Sequence, residues 1–261
     1  MTASAAPDCD GLVFDLPGPG SVLFTGRAHG NMSSAGGFGH EHGFHARERL
    51  RMRLGLRRLA RGYQAHGTTI VRIRQETDVA AEDSATAQPP VRADGQATVL
   101  PGVGAMALAA DCLPVALGSE HAVAMVHAGW RGLAAGVLEE GVGALRELDR
   151  DGEIVAIIGP GAGPCCYEVG PEVHAAFVSN TADGYLGEHA SAPGTFLGEP
   201  GTTGAPIDLK AIARDRLHAV GVTGIAVAEV CTICDERFFS HRREGADAGR
   251  NAGVAWLSQS P

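Results

Sequence analysis

Lysine is nearly missing from this sequence: of its 21 basic residues only Lys210 is a lysine, and the rest are arginines. Genome composition accounts for that bias better than selection for bidentate contacts. Aromatic side chains make up only 5%. No apolar stretch reaches the roughly 18 to 20 residues that cross a bilayer, so neither a membrane span nor a membrane partner is expected. Positive charge is in deficit, with a net charge of −9, which argues against a nucleic-acid partner because backbone binders present a basic face. The local exception, Arg47 to Arg61, has seven arginines and reads as the solvated face of an amphipathic helix. Six cysteines in 261 residues are too sparse for a disulfide scaffold. Met1 to Asp10 has neither the basic start nor the apolar run of a secretory signal. Together these absences predict a cytoplasmic chain with reduced thiols.

What is there is enough to fold. At 44% hydrophobic with 37 glycines, the chain can bury a core, and its length suits one large domain or two small ones. A strand is predicted at Val22–Thr25, a flexible stretch at Gly26–Gly43, a helix over Ala46–Leu59, and a strand over Thr68–Val79. Ala80–Gly95, which is polar and holds Pro89-Pro90, reads as a surface loop. Buried strands follow at Val115–Leu117, Ala122–Val126 and Ile154–Ile158, with one helix over Gly132–Leu148 between the last two. Pro171–Val178 opens a helix with proline first. Asp208 caps a helix running to Val220, and Gly224–Val230 and Gly253–Leu257 supply the last strands. Asn180–Pro206 is glycine-rich and fits no element. With no repeat and no linker between two cores, the expectation is one α/β domain.

Three short stretches put reactive side chains at strand boundaries, where open α/β sheets build their sites. They are Gln64-Ala65-His66-Gly67, Ala110-Asp111-Cys112-Leu113-Pro114 and His127-Ala128-Gly129-Trp130-Arg131-Gly132. One thiolate and two imidazoles suit a tetrahedral Zn2+ with an open fourth position, and such a centre lowers the pKa of bound water to roughly 7. On spacing alone the signal is weak, since a lone Cys or His near an apolar strand is more often a packed core residue than a ligand. The helix opening at Gly129 offers free N–H groups to an anion, with Arg131 beside them; alternatively, the glycines only make the turn.

Those stretches, Gly159 to Gly170 (GPGAGPCCYEVG), Phe238 to Arg243 (FFSHRR) and Gly249-Arg250 occur in this order. Together they resemble the laccase-domain, YfiH-like family of multifunctional purine nucleoside phosphorylases, over about Val22 to Leu257. The resemblance implies a single α/β domain over 22–257, with a mixed sheet flanked by helices (α/β/α-type), an N-terminal segment 1–21 and a tail 258–261. It implies a zinc site of His66, Cys112 and His127 as both metal ligands and catalytic centre. The implied activities are phosphorolysis of adenosine, inosine and methylthioadenosine, and deamination of adenosine to inosine. The implied partners are purine nucleosides and phosphate. Arg27, at the family's Thr-x-Arg position, and Arg131 are the expected phosphate-binding residues. After Arg27 the chain reads Ala28-His29-Gly30-Asn31-Met32-Ser33 where most members carry Gly-Gly-Val-Ser.

Competing readings come from other residues. A Cys112–His127 nucleophile pair would make a hydrolase or deamidase, but leaves His66 without a task. An enzyme editing peptidoglycan precursors and a non-catalytic binding protein are further alternatives. Copper oxidase chemistry needs more closely spaced histidines; His40, His42 and His45 form a local cluster, read as a solvated loop. Cys231-x-x-Cys234 with Cys165-Cys166 admits a four-cysteine zinc site or a redox pair. Asp235-Glu236 opposes a low thiolate pKa there, so the plainer reading is small residues shaping a turn. Asp111 and Glu168 are chemically able to donate a proton, and a structural role serves either equally.

Overall fold

The computed structural model describes residues 11–34, 42–79, 91–179 and 205–258. In chain order come β1 (Leu12–Asp15), β2 (Gly20–Phe24), α1 (Gly43–Arg53), β3 (Arg58–Ala60), β4 (Ile70–Ile73), β5 (Gly95–Thr98), β6 (Val103–Ala109), β7 (Leu113–Gly118) and β8 (Val123–Ala128). Then follow α2 (Trp130–Ala135), α3 (Val137–Leu148), β9 (Val155–Ile158), β10 (Glu168–Val169), α4 (Pro171–Ser179), β11 (Ala205–Pro206), α5 (Leu209–Ala219), β12 (Gly224–Val227), α6 (His241–Glu244) and β13 (Asn251–Leu257). No helix among the described residues is long and apolar enough to cross a membrane.

The α/β class holds, and the mixed sheet is two sheets. One runs β1-β2-β13-β6-β3 and the other β12-β9-β7-β8-β5-β4. Both are mixed: β3 is parallel to β6, β4 to β5 and β12 to β9, and the other neighbours within the two sheets are antiparallel. Period-two alternation explains the layering. Val22, Phe24, Ala105, Ala107 and Ala255 from the first sheet meet Ala116, Val123, Met125 and Ile157 from the second in one buried cluster. The intervening Leu23, Met106 and Val254 turn the other way and pack on Ala46 and Leu50 of α1. On the far face of the second sheet, Val115, Leu117, Ala124 and Val126 pack against α3 and α5. The result is helix, sheet, sheet, helix. Alanines and glycines on the facing sides let the sheets approach with few aromatics; a Cβ at Gly253 would sit 2.7 Å from Met125 Sδ.

Several expectations shift. Pairing begins before residue 22, because Leu12–Asp15 forms a complete antiparallel ladder with Ser21–Phe24. The helix expected over Ala46–Leu59 ends at Arg53, with Gly55 at φ 65, and the chain re-enters the sheet at β3. Arg47, expected on a solvated face, is 1% exposed and donates to Met32 O at 2.7 Å. The long strand Thr68–Val79 stops at Ile73 and closes in a 3-10 turn, Glu76–Asp78. The helix expected over Gly132–Leu148 breaks at Gly136, whose φ of 95 is left-handed. The Asp208 cap is as expected, accepting from the amides of Lys210 and Ala211. His40, residues 80–90 of the predicted loop and 180–204 of the unplaced stretch lie outside the described residues, whereas Gly95 opens β5. His42 and His45 sit at the start of α1 rather than in a loop.

Candidate metal centre

Three connections bring the reactive residues together at one end of the second sheet. His127 is in β8, and Cys112 immediately precedes β7, whose Leu113 pairs with Ala128. His66 arrives from the turn between β3 and β4 with φ 57, a left-handed conformation rare for a side-chain-bearing residue. Gln64 holds the start of that turn, exchanging hydrogen bonds with the backbone of Leu108 at 2.7 and 2.8 Å. The three ligand atoms lie within 4.8 Å of one another, with Cys112 Sγ 3.9 Å from His66 Nε2. A Cβ at Gly129 would sit 2.8 Å from His66 Cδ2 and 3.0 Å from Cys112 Sγ, so only glycine leaves room for this cluster.

The residue that organises the cluster is Asp94, one residue before β5, in the stretch expected to be a surface loop. It is 2% exposed. Its carboxylate accepts from the amides of Ala65, His66 and Gly67 at 2.8–3.1 Å and from His127 Nδ1 at 2.9 Å. One buried charge thus fixes the His66 turn and turns Nε2 of His127 toward Cys112, the carboxylate–histidine arrangement that supports metal ligands. Burial opposes charge on Asp94, yet the His127 and Gly67 hydrogen bonds hold its pKa below the usual value. Burial likewise opposes charge on Cys112 and His127, but their mutual attraction prevails. Cys112 falls to about 6, helped by hydrogen bonds from both histidines, and His127 rises to about 9, helped by Asp94. In sequence Asp94 carried no signal except its place two residues after Arg92 in a polar run with Pro89-Pro90.

The cluster lies at the floor of a cleft of about 610 Å3, within the size range of small-molecule sites. Arg61, Arg131, Arg242 and Arg250 line it, with Tyr63, Trp130 and Tyr167. Arg131 lines the cleft, its guanidinium 4.2 Å over the Trp130 ring. The helix behind it, α2, has only six residues, so its dipole is weak and the positive charge at the cleft comes mainly from the arginines. Arg27 is not at the cleft. It pairs with Glu244, donates to the carbonyls of Glu236 and Phe238, and stacks 4.3 Å over Phe239. Arg242, which the sequence left unassigned, does line the cleft: its amide donates to Asp111 Oδ2 at 2.7 Å and its guanidinium lies 4.9 Å over Tyr167. Asn31 of the divergent Asn-Met-Ser element accepts from the Arg250 amide at 2.8 Å, tying that stretch to the cleft wall. Both Asp111 oxygens are engaged, the other one accepting from Thr232 Oγ1 at 2.7 Å; Glu168 is exposed in β10, and its carbonyl accepts from Arg242.

Comparison with known proteins agrees in family and fold. Residues 27–258 match the family model described as multi-copper polyphenol oxidoreductase laccase. A purine nucleoside phosphorylase of Xylella fastidiosa is 40% identical over 201 residues, 74% of this chain and 70% of the relative. The crystal structure of a Neisseria meningitidis protein superposes with a TM-score of 0.78 at 30% identity, covering 96% of this chain and 100% of the other. That of YlmD from Geobacillus stearothermophilus gives 0.77 at 30% identity, covering 92% and 93%.

Proposed function

The chain belongs to the multi-copper polyphenol oxidoreductase laccase family, and from that membership we propose that it is a purine nucleoside phosphorylase whose metal centre is His66, Cys112 and His127 holding Zn2+. The observation that carries the reading is the convergence of one thiol and two imidazoles within 4.8 Å, buttressed by Asp94, beneath an arginine-lined cleft. The donor set fits zinc: bonds of roughly 2.0–2.3 Å to tetrahedral N and S ligands separate those atoms by about 3.5 Å. Bound there, Zn2+ supplies a Lewis acid with one open position.

The protein groups do the rest. Arg131 and Arg242 hold phosphate by charge-assisted, bidentate contacts, while Trp130, Tyr63 and Tyr167 offer aromatic faces to the purine. In phosphorolysis the bond from C1′ to the base breaks as a phosphate oxygen bonds C1′, and the base leaves with a proton on a ring nitrogen. Burial, with the nearby Cys112 charge, pushes the Tyr167 phenol up, so its O–H stays a donor for the departing base. We assign adenosine, inosine and methylthioadenosine as substrates, adenosine deamination as an accompanying activity, and the cytoplasm as the location.

Product analysis on adenosine with and without phosphate tests this. Adenine and ribose 1-phosphate forming only with phosphate is the expected result; no turnover in either condition would overturn it, and inosine alone would leave only the deaminase. A second reading rests on the same geometry: Asp94, His127 and Cys112 also form a hydrogen-bonded triad with a thiolate–imidazolium pair. It predicts hydrolysis that persists after metal is stripped.

A further inference from the structure

The four cysteines that the sequence read as turn-shaping residues come together on the surface beyond the cleft. Two turns bring them there. Gly159–Gly170 carries Cys165 and Cys166, and the segment after β12 carries Cys231 and Cys234. Gly161 and Cys231 form a parallel bridge, and the Thr232 amide donates to Gly161 O at 3.0 Å, so the turns are locked in register. All four sulfurs lie within 4.8 Å of one another.

We propose that Cys165, Cys166, Cys231 and Cys234 form a second, structural metal site that holds Zn2+ as a tetrahedral tetrathiolate. Zinc–sulfur bonds of about 2.3 Å place tetrahedral sulfurs roughly 3.8 Å apart. Here Cys234 Sγ is 2.9 Å from Cys166 Sγ and 3.5 Å from Cys165 Sγ. A disulfide requires about 2.05 Å and selects one pair, whereas Cys234 approaches two sulfurs and the fourth cysteine completes the group. A redox Cys-x-x-Cys requires a helix starting at its first cysteine; Cys231–Cys234 is a plain turn, closed by the Cys234 and Asp235 amides on Cys231 O. The Gly163 amide points at Cys231 Sγ at 3.2 Å, a donor suited to a metal-bound thiolate.

The surrounding charge suits such a site. Four thiolates around Zn2+ leave two negative charges. The chain's only lysine, Lys210, is 7% exposed and lines a small cavity with Cys165 and Cys231. Its ammonium donates at 2.7 Å to the carbonyls of Ala228 and Val230, directly before Cys231. Asp208 and Glu229 line the same cavity and offset the cost of burying this ammonium, and the tetrathiolate adds to that negative field from the Cys165 and Cys231 side. The site pins both turns, one carrying Tyr167 and the other Thr232, the partner of Asp111, so it stabilises the cleft wall without touching substrate.

Metal content of full-length protein, purified under reducing conditions from zinc-supplemented culture, is the test. The Cys231→Ser/Cys234→Ser variant is expected to hold one zinc per chain fewer than wild type, whatever the content of the His66 centre. Cys112→Ser is expected to keep the tetrathiolate zinc, and cobalt(II) bound to it in place of zinc is expected to give tetrahedral ligand-field bands with thiolate charge transfer. If the double serine variant does not fold, Cys112→Ser answers alone: a thiol-blocking mercurial should release its remaining zinc to a chromophoric chelator. Unchanged metal content in a folded double variant, iron in place of zinc, or two thiols missing from unreduced, denatured protein would each overturn the proposal.

Discussion

Asp94→Asn removes one charge and one acceptor from the centre of the site while keeping its shape. The wild-type carboxylate satisfies His127 Nδ1 and three backbone amides. An asparagine presents an NH2 to some of those donors, leaving at least one amide unpaired at a position only 2% exposed. Charge-assisted hydrogen bonds contribute roughly 1.5–3 kcal/mol each, and breaking a buried pair by removing one partner costs about 3–5 kcal/mol. Denaturant unfolding should therefore show a loss of that order, with the slope unchanged. Losing the group that orients His127 should weaken metal binding about 10–100-fold, read by competition with a chelator. The pH dependence has a defined sign. Asp94 has a depressed folded pKa, so its contribution is present above the unfolded value of about 3.9 and disappears as pH falls through the folded one. Wild type and variant should then converge in acid. Metal affinity within twofold of wild type, with stability lost by under about 0.5 kcal/mol, would refute the role assigned to Asp94.

Gly129→Ala is expected to abolish metal binding in a folded protein, because the new methyl meets His66 and Cys112 at 2.8 and 3.0 Å; overpacking of this kind costs about 1–3 kcal/mol, and circular dichroism with metal analysis checks both halves. Arg131→Ala and Arg242→Ala should raise the KM for phosphate about tenfold or more, the worth of a charge-assisted contact. Arg27→Ala should leave that KM within twofold while lowering the melting temperature, through loss of its Glu244 and Phe239 contacts. In metal-stripped protein, alkylation of Cys112 followed by mass spectrometry should rise with a midpoint near pH 6, against about 8.5 for a free thiol. In Asp94→Asn, that midpoint should move up, because His127 loses the carboxylate that favours its imidazolium.

Much of the site was legible because its ligands sit in short, ordered motifs at strand ends. The Asp208 cap and the buried strands β7, β8 and β9 were readable from local chemistry. Asp94 was not, because β5 is Gly-Gln-Ala-Thr, a fully buried strand with no apolar period. The two-sheet layering escaped for a related reason: β6 reads Val-Gly-Ala-Met-Ala-Leu-Ala, a run of small residues that sequence cannot assign to helix or strand. Arg27 lies away from the cleft because motif position fixes its backbone but not its guanidinium, which Glu244 and Phe239 draw away. The four cysteines were underrated because only the bridge between Gly161 and Cys231, 70 residues apart in sequence, makes them neighbours.

The most direct measurement is phosphate-dependent adenine release from adenosine, followed as zinc is stripped from the protein and titrated back, in wild type and in Cys112→Ser. Activity should vanish with the metal and return with it in wild type, and stay absent in Cys112→Ser at every zinc concentration. Full turnover by metal-free wild type, or by Cys112→Ser, would contradict a catalytic centre built from His66, Cys112 and His127 around a metal.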